Sequence, residues 1–243
     1  MAKYSKKAII SGTQIEFYEY EKDVYYGYDG FEKKSVGRSK KADEENQEIN
    51  REKVFNRARR NVRRTINCNY QKYSKFLTLT FADDKWTDIR ECNYELNKFI
   101  KRLKYKYGYS IKYTAVPEIQ EERFKKYGVE IWHYHLVLYN VTEKVDVNEL
   151  QSIWGNGFVK INVIKNCDNV GAYISKYMTK GHKDLLKGEK MYFNSRGLIK
   201  PTEIKESEIV NALEKSLLNQ TPKFENTFEN DYNNITYKQY IIE

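Results

Sequence analysis

Two histidines stand two apart in an apolar run, WHYHLVLYN at residues 132–140. Successive side chains of a strand point to opposite faces, so His133 and His135 share one face, about 6.6 Å apart along the chain. Two imidazoles at that spacing can converge on one ion. Tyr134, Leu136 and Leu138 then take the other face and pack on a core.

A catalytic metal site needs a third ligand, with positions left open for water or substrate. Glu130 is near in sequence but has the wrong parity. YSIKYTAVPEIQ and VEIWHYHLVLYN flank the polar segment EERFKKYG, a pattern that predicts a hairpin turning near Lys125 to Gly128. Folding it back brings Glu118 roughly opposite His133 on a strand about 4.8 Å away. Glu118, His133 and His135 are therefore the expected metal ligands. With three histidines in the chain, a same-face pair is hard to assign to chance, whereas His182 reads as a surface or hydrogen-bonded residue.

The second constellation is YISKYMTK, residues 173–180. Tyr173 and Tyr177 are one helical turn apart, and Lys176 and Lys180 each follow a tyrosine by three, so each phenol has a nearby ammonium. The plain alternative is a packing stripe of Val170, Tyr173, Ile174, Tyr177 and Met178. A phenol with an ordinary pKa of about 10 is a poor nucleophile at neutral pH. An adjacent lysine and a metal-bound phosphate would each help it attack. The natural electrophile is a DNA phosphodiester, because tyrosine attack preserves the bond energy and a free hydroxyl reverses it.

Composition agrees with a polyanionic partner. Lys and Arg outnumber Asp and Glu by 43 to 34, for a formal charge of +9, and 22 Tyr with 11 Phe supply rings on which bases can stack. No apolar run approaches the ~20 residues that cross a bilayer. The start, MAKYSKKAII, does not lead into a secretory apolar core, so the expected location is the cytosol, without a membrane partner. Cys68, Cys92 and Cys167 form no CxxC pair and read as reduced thiols. No GxxxxGK[ST] loop occurs, which excludes a nucleotide-driven motor of that type.

These groups need elements to carry them. KAIISG and QIEFYEY near the start predict a hairpin laid against the main domain, with no function assigned to residues 1–40. Residues 42–67 read as a helix through Ile49, Phe55, Ala58, Val62 and Ile66, with acidic residues in its first turns. Its second half carries Arg57, Arg59, Arg60, Arg63 and Arg64, a run that serves either as a solvated face or as a phosphate-contacting one. KFLTLTFAD, residues 75–83, alternates as a strand, with Leu77, Leu79 and Phe81 on one face and Thr78 and Thr80 on the other. Both threonines join the arginines as expected DNA contacts.

A helix follows from N-cap Thr87 to about Tyr107, lined by Cys92, Leu96, Phe99 and Leu103. After the hairpin come the short helix VNELQSIW, the strand GNGFVKINVIK, and a helix from N-cap Asp168 to Gly181. Strand, helix, strand, strand, helix, strand, helix over 75–181 predicts an α+β domain. Its sheet is antiparallel and of about five strands, RRM- or palm-like, with helices packed on one face and the other left for a site. The expected division is an N-terminal extension at 1–70, the site domain at 71–200 and a polar C-terminal tail at 201–243.

HYH at 133–135 resembles the His-hydrophobic-His motif of HUH endonucleases. FLTLTF at 76–81 is similar to their first motif, and YISKYMTK to their nucleophile motif. The match spans 75–181 and looks most like rolling-circle replication initiators of plasmids and phages. Tyr-x3-Tyr with its lysines resembles the two-tyrosine initiators of small single-stranded DNA phages. RRNVRRTINCN and SRGLIKP also look like initiators carried by phages and mobile elements of Gram-positive bacteria.

The resemblance implies that Glu118, His133 and His135 hold Mg²⁺ or Mn²⁺. It implies that Tyr173 or Tyr177 cuts single-stranded DNA at a replication origin, leaving a 5'-phosphotyrosine link and a free 3' hydroxyl. No helicase domain accompanies the motifs in these 243 residues, so a host helicase and polymerase are the expected partners. A transposase or relaxase would share this chemistry and differ in substrate. A non-catalytic RRM-like binder would bind nucleic acid without metal or cleavage. An iron oxygenase is the remaining use of two histidines and a carboxylate, but HYH lacks the acidic residue such folds place a few positions on.

Overall fold

The computed structural model describes residues 2–27, 44–82, 87–108, 110–129, 131–141, 144–162, 169–178, 186, 188–230 and 232–242. The chain is mixed α and β, with two antiparallel five-stranded sheets. It divides into two compact units, residues 48–199 and residues 1–47 with 200–243. Among the described residues no helix is long and apolar enough to cross a membrane.

The central unit begins with most of α1 (Glu44–Asn69) and continues through β3 (Lys75–Thr80), α2 (Ile89–Tyr107), β4 (Tyr113–Ile119), α3 (Glu121–Tyr127) and β5 (Trp132–Leu138). It closes with α4 (Val147–Trp154), β6 (Val159–Asn162), α5 (Val170–Ser175) and β7 (Phe193–Asn194). The sheet order is β6-β3-β5-β4-β7, so the strand bearing both histidines is the middle one. A middle strand has both edges paired, which fixes its register on two sides.

Alternation decides which face is core. Leu77, Leu79, Ala115, Tyr134, Leu136 and Leu138 are buried against Leu96, Phe99 and Leu103 of α2 and Leu150 and Trp154 of α4. Tyr134 donates its buried hydroxyl to Asn93 Oδ1 at 2.7 Å. The opposite face is also partly covered. Phe55, Val62 and Ile66 of α1, with Val170 and Ile174 of α5, pack on Phe76, Val116 and Val137. Ile49, expected in that stripe, is exposed, because the helix meets the sheet only from Phe55 onward.

Several boundaries move for local reasons. The first strand ends at Thr80 rather than Asp83, and Asp83 lies outside the described residues. Asp88, not Thr87, caps α2, its carboxylate accepting from Arg90 N. EERFKKY is a helix instead of a loop. Gly128 ends it in the left-handed conformation at φ 69°, where a residue without Cβ avoids a steric cost. The last helix is capped by Asn169 and gives way after Ser175 to turns bonded i to i+3 through Met178. Asp168, Lys180, Gly181 and His182 fall outside the described residues.

The other unit corrects the expectation for both ends of the chain. β1 (Ala2–Ser11) and β2 (Gln14–Tyr26) do form a hairpin, but it lies inside a sheet of its own with β8 (Thr202–Ile204), β9 (Phe224–Asn230) and β10 (Asn233–Ile241). The order is β8-β1-β2-β10-β9, and α6 (Ser207–Ser216) buries Val210 against Ala8, Ile15, Phe17 and Tyr240. Residues 201–243 are therefore not a tail. FENTFEN hides its strand character because every residue of this edge strand is exposed, so no apolar alternation marks it.

Tyr134→Phe should leave the buried Asn93 amide oxygen without its donor and cost about 1–3 kcal/mol. Urea unfolding of the two proteins measures it; a difference within error would mean the Tyr134–Asn93 bond contributes nothing to stability.

Candidate metal and tyrosine site

The β4–β5 register pairs Glu118 with His133 and Val116 with His135. On the other side β3 pairs Thr80 with His133 and Thr78 with His135. Side chains of these paired rows share one face, so the carboxylate, both imidazoles and both threonines meet there. One nitrogen or oxygen from each of Glu118, His133 and His135 lies within 4.8 Å of the others.

The contacts within the group are uneven. Glu118 Oε2 sits 2.5 Å from His135 Nε2, and Thr78 Oγ1 lies 3.3 Å from His135 Nδ1. Glu118 thus reaches diagonally, past the histidine opposite it. His133 Nε2 is buried and has no hydrogen-bond partner among the described residues. Burial, then the neighbouring His135 and Arg123, lowers the His133 pKa to about 4, so its imidazole is neutral at physiological pH. A neutral imidazole with an unsatisfied buried nitrogen, beside a second imidazole and a carboxylate, is a donor set that fits a divalent cation.

Aromatic contacts tie the tyrosines to this group. The Tyr177 ring stacks on His135 at 3.6 Å between centroids and 16° between planes. Phe76 lies beside both, 5.8 Å from His135 and 5.9 Å from Tyr177, and meets Tyr173 edge-on at 6.1 Å. Tyr177 Oη donates to Tyr173 Oη at 3.3 Å. Burial, that donated bond and the charges of Tyr173 and Glu118 all push the Tyr177 pKa well up. Tyr173 is 38 % exposed and open to solvent.

A six-residue helix cannot hold such an arrangement alone, since helices this short are marginal in water. α1 holds it. Asn67 Nδ2 donates to Asn169 Oδ1 at 2.9 Å, and Asn67 Oδ1 accepts from Gly171 N at 2.8 Å. Asn169 Oδ1 in turn caps Ala172 N. Arg59 Nε donates to Ser175 O at 3.1 Å. The helices approach so closely that a Cβ on Gly171 would stand 2.0 Å from Arg63 O.

The remaining expected site residues separate. Lys176 is exposed and lines a cleft with Arg59, Arg60 and Arg63. Arg57 and Arg64 do not line that cleft. Lys180 lies outside the described residues. Sequence reasoning passed over Asn67, Asn169 and Gly171, whose roles depend on a neighbouring helix. It also passed over Arg123, which donates to Phe81 O at 3.3 Å and acts on His133 from a segment read as a loop.

Gly171→Ala should force α5 away from α1, because the backbone of Arg63 cannot yield as a flexible side chain would. A loss of about 1–3 kcal/mol is expected, with weaker quenching of the tyrosines by their ring neighbours. Thermal unfolding and tyrosine fluorescence check both; an unperturbed protein would show that the close approach is dispensable.

No curated protein and no solved structure matches the chain. Residues 74–182 match a family model described as replication-associated protein, of the ORF2 and gene II protein type. The segment that carries the histidine strand, the Glu118 strand and both tyrosines is a domain of that replication-associated protein family.

Proposed function

We propose that the protein initiates rolling-circle replication by nicking and rejoining single-stranded DNA at an origin through a 5'-phosphotyrosine intermediate. The observation that carries this reading is the direct stacking of Tyr177 on His135, which sets a phenol pair against a metal-fit triad in a replication-associated domain. Glu118, His133 and His135 would hold Mg²⁺ or Mn²⁺, which polarises a phosphate oxygen and offsets the charge that builds during attack.

The two phenols have different tasks. Tyr173 is the more open and accepts the hydroxyl hydrogen of Tyr177, a bond that favours its anionic form. Tyr173 Oη attacks phosphorus, the bond to the 3' oxygen breaks, and that oxygen leaves as a hydroxyl after taking up a proton. The 5' side stays esterified to the tyrosine. Attack by a free 3' hydroxyl reverses the step and frees the phenol. Tyr177, half-buried and with its pKa raised, is the donor in the first cut and the second nucleophile when Tyr173 is occupied.

The 3' hydroxyl primes a host polymerase, and a host helicase separates the strands, in a bacterial cytosol. Thr78 and Thr80 flank the histidines on the same face and contact the bound strand.

The direct test uses labelled single-stranded oligonucleotides from the gene's own neighbourhood, with and without Mn²⁺, resolved on a denaturing gel. A covalent adduct should form only with metal. Tyr173→Phe should lower the single-turnover rate by about 100-fold or more, Tyr177→Phe by less, and the double variant should form none. An adduct from the double variant would place the nucleophile elsewhere. His133→Ala should raise the Mn²⁺ dissociation constant by about 10-fold or more by calorimetry; unchanged binding would remove the metal from these residues.

A further inference from the structure

The basic run of α1 spreads arginines around a helix, and packing sorts them. Asn56, Arg59, Arg60 and Arg63 recur at one-turn spacing and face α5, where they line a cleft of about 390 Å³ with Ser175 and Lys176. Four cationic side chains converge there, and no carboxylate is among the described lining residues. Gathering like charges in one recess is unfavourable unless an anion offsets it. The cleft also adjoins the nucleophile. Lys176 follows Tyr173 by three positions, and Ala172, which precedes Tyr173, lines the same cleft.

We infer that this cleft seats sugar-phosphate backbone of the strand being cut, next to the attacked phosphate, with Arg60, Arg63 and Lys176 as phosphate contacts. Lys176 is then a binding residue and not the activator of Tyr173 that its spacing suggests. Arg59, bonded through Nε to Ser175 O, is a positioning residue that ties the cleft to α5. The contacts are to backbone, so they carry register and not sequence. The inference deepens the nicking proposal and rests on it for the identity of the strand.

The test is made without metal, so that it does not depend on cleavage. Binding of a fluorescent single-stranded oligonucleotide is followed by anisotropy in EDTA from about 50 to about 300 mM KCl, a range over which phosphate contacts dominate the salt dependence. Each phosphate contact on a single strand contributes about 0.7 to the slope of log K against log salt. Arg60→Gln and Lys176→Gln should each lower the slope by about 0.7, and together by about 1.4. The loss should be equal on origin and scrambled sequences. Lys101→Gln removes an equal charge from an exposed position on α2 and should leave the slope unchanged. Both cleft side chains are exposed, and thermal unfolding verifies the fold of each variant.

Unchanged slopes for the cleft variants, or a loss on one sequence only, would overturn the inference. So would polyglutamate competing as well as DNA of equal charge. A protein that shows these slope losses but never forms an adduct keeps the cleft and loses the nicking reading; adduct formation with unchanged slopes does the reverse.

Discussion

The register between β4 and β5 is the constraint on which the site depends. Pairing Glu118 with His133 puts a carboxylate and two imidazoles on one face, and the same pairing sends Tyr134, Leu136 and Leu138 into the core. A slip by one residue would exchange the faces, burying the histidines among leucines and exposing the core. The apolar side of β5 therefore enforces the geometry of its polar side. α3 strengthens the constraint, since it joins the two strands as a capped helix and Gln120 N still bonds Ile131 O at 2.8 Å across the hairpin mouth.

One sheet face is divided along the strands. At one end lie Glu118, His133 and Thr80; in the middle His135 is sandwiched by aromatic rings; beyond it Phe76, Val116 and Val137 are covered by α1 and α5. This division lets a polar group stay buried without a hydrogen bond, because its neighbours are held by packing it does not contribute to. It also explains why helices occupy both faces. The face that carries the site needs α1 to fix the short segment bearing Tyr173 and Tyr177.

The helix pair works through backbone as much as through side chains. Gly171 permits contact with Arg63 O, and the asparagines at 67 and 169 satisfy the end of a helix too short to persist alone. Because α1 does this with one face, its adjacent face is left to gather Arg59, Arg60 and Arg63 beside Lys176. Positioning of the phenols and collection of positive charge are thus two results of one helix packing.

Period alone was enough to identify what lies on a strand or helix and which way it faces. Leu77 and Leu79 against Thr78 and Thr80, His133 and His135 against Tyr134 and Leu136, and the α2 stripe through Leu96, Phe99 and Leu103 are all legible, because burial on one side writes itself into alternation. The hairpin arithmetic likewise reached Glu118. What the tertiary structure alone decided involves partners distant in sequence: the diagonal reach of Glu118 to His135, the stacking of Tyr177, the close approach at Gly171 and the direction of Lys176. The C-terminal strands were hidden for a related reason. β9 buries nothing on either side, and β10 finds its neighbour β2 more than two hundred residues away. Local pattern records which side of an element is dry; it does not record which element keeps it dry.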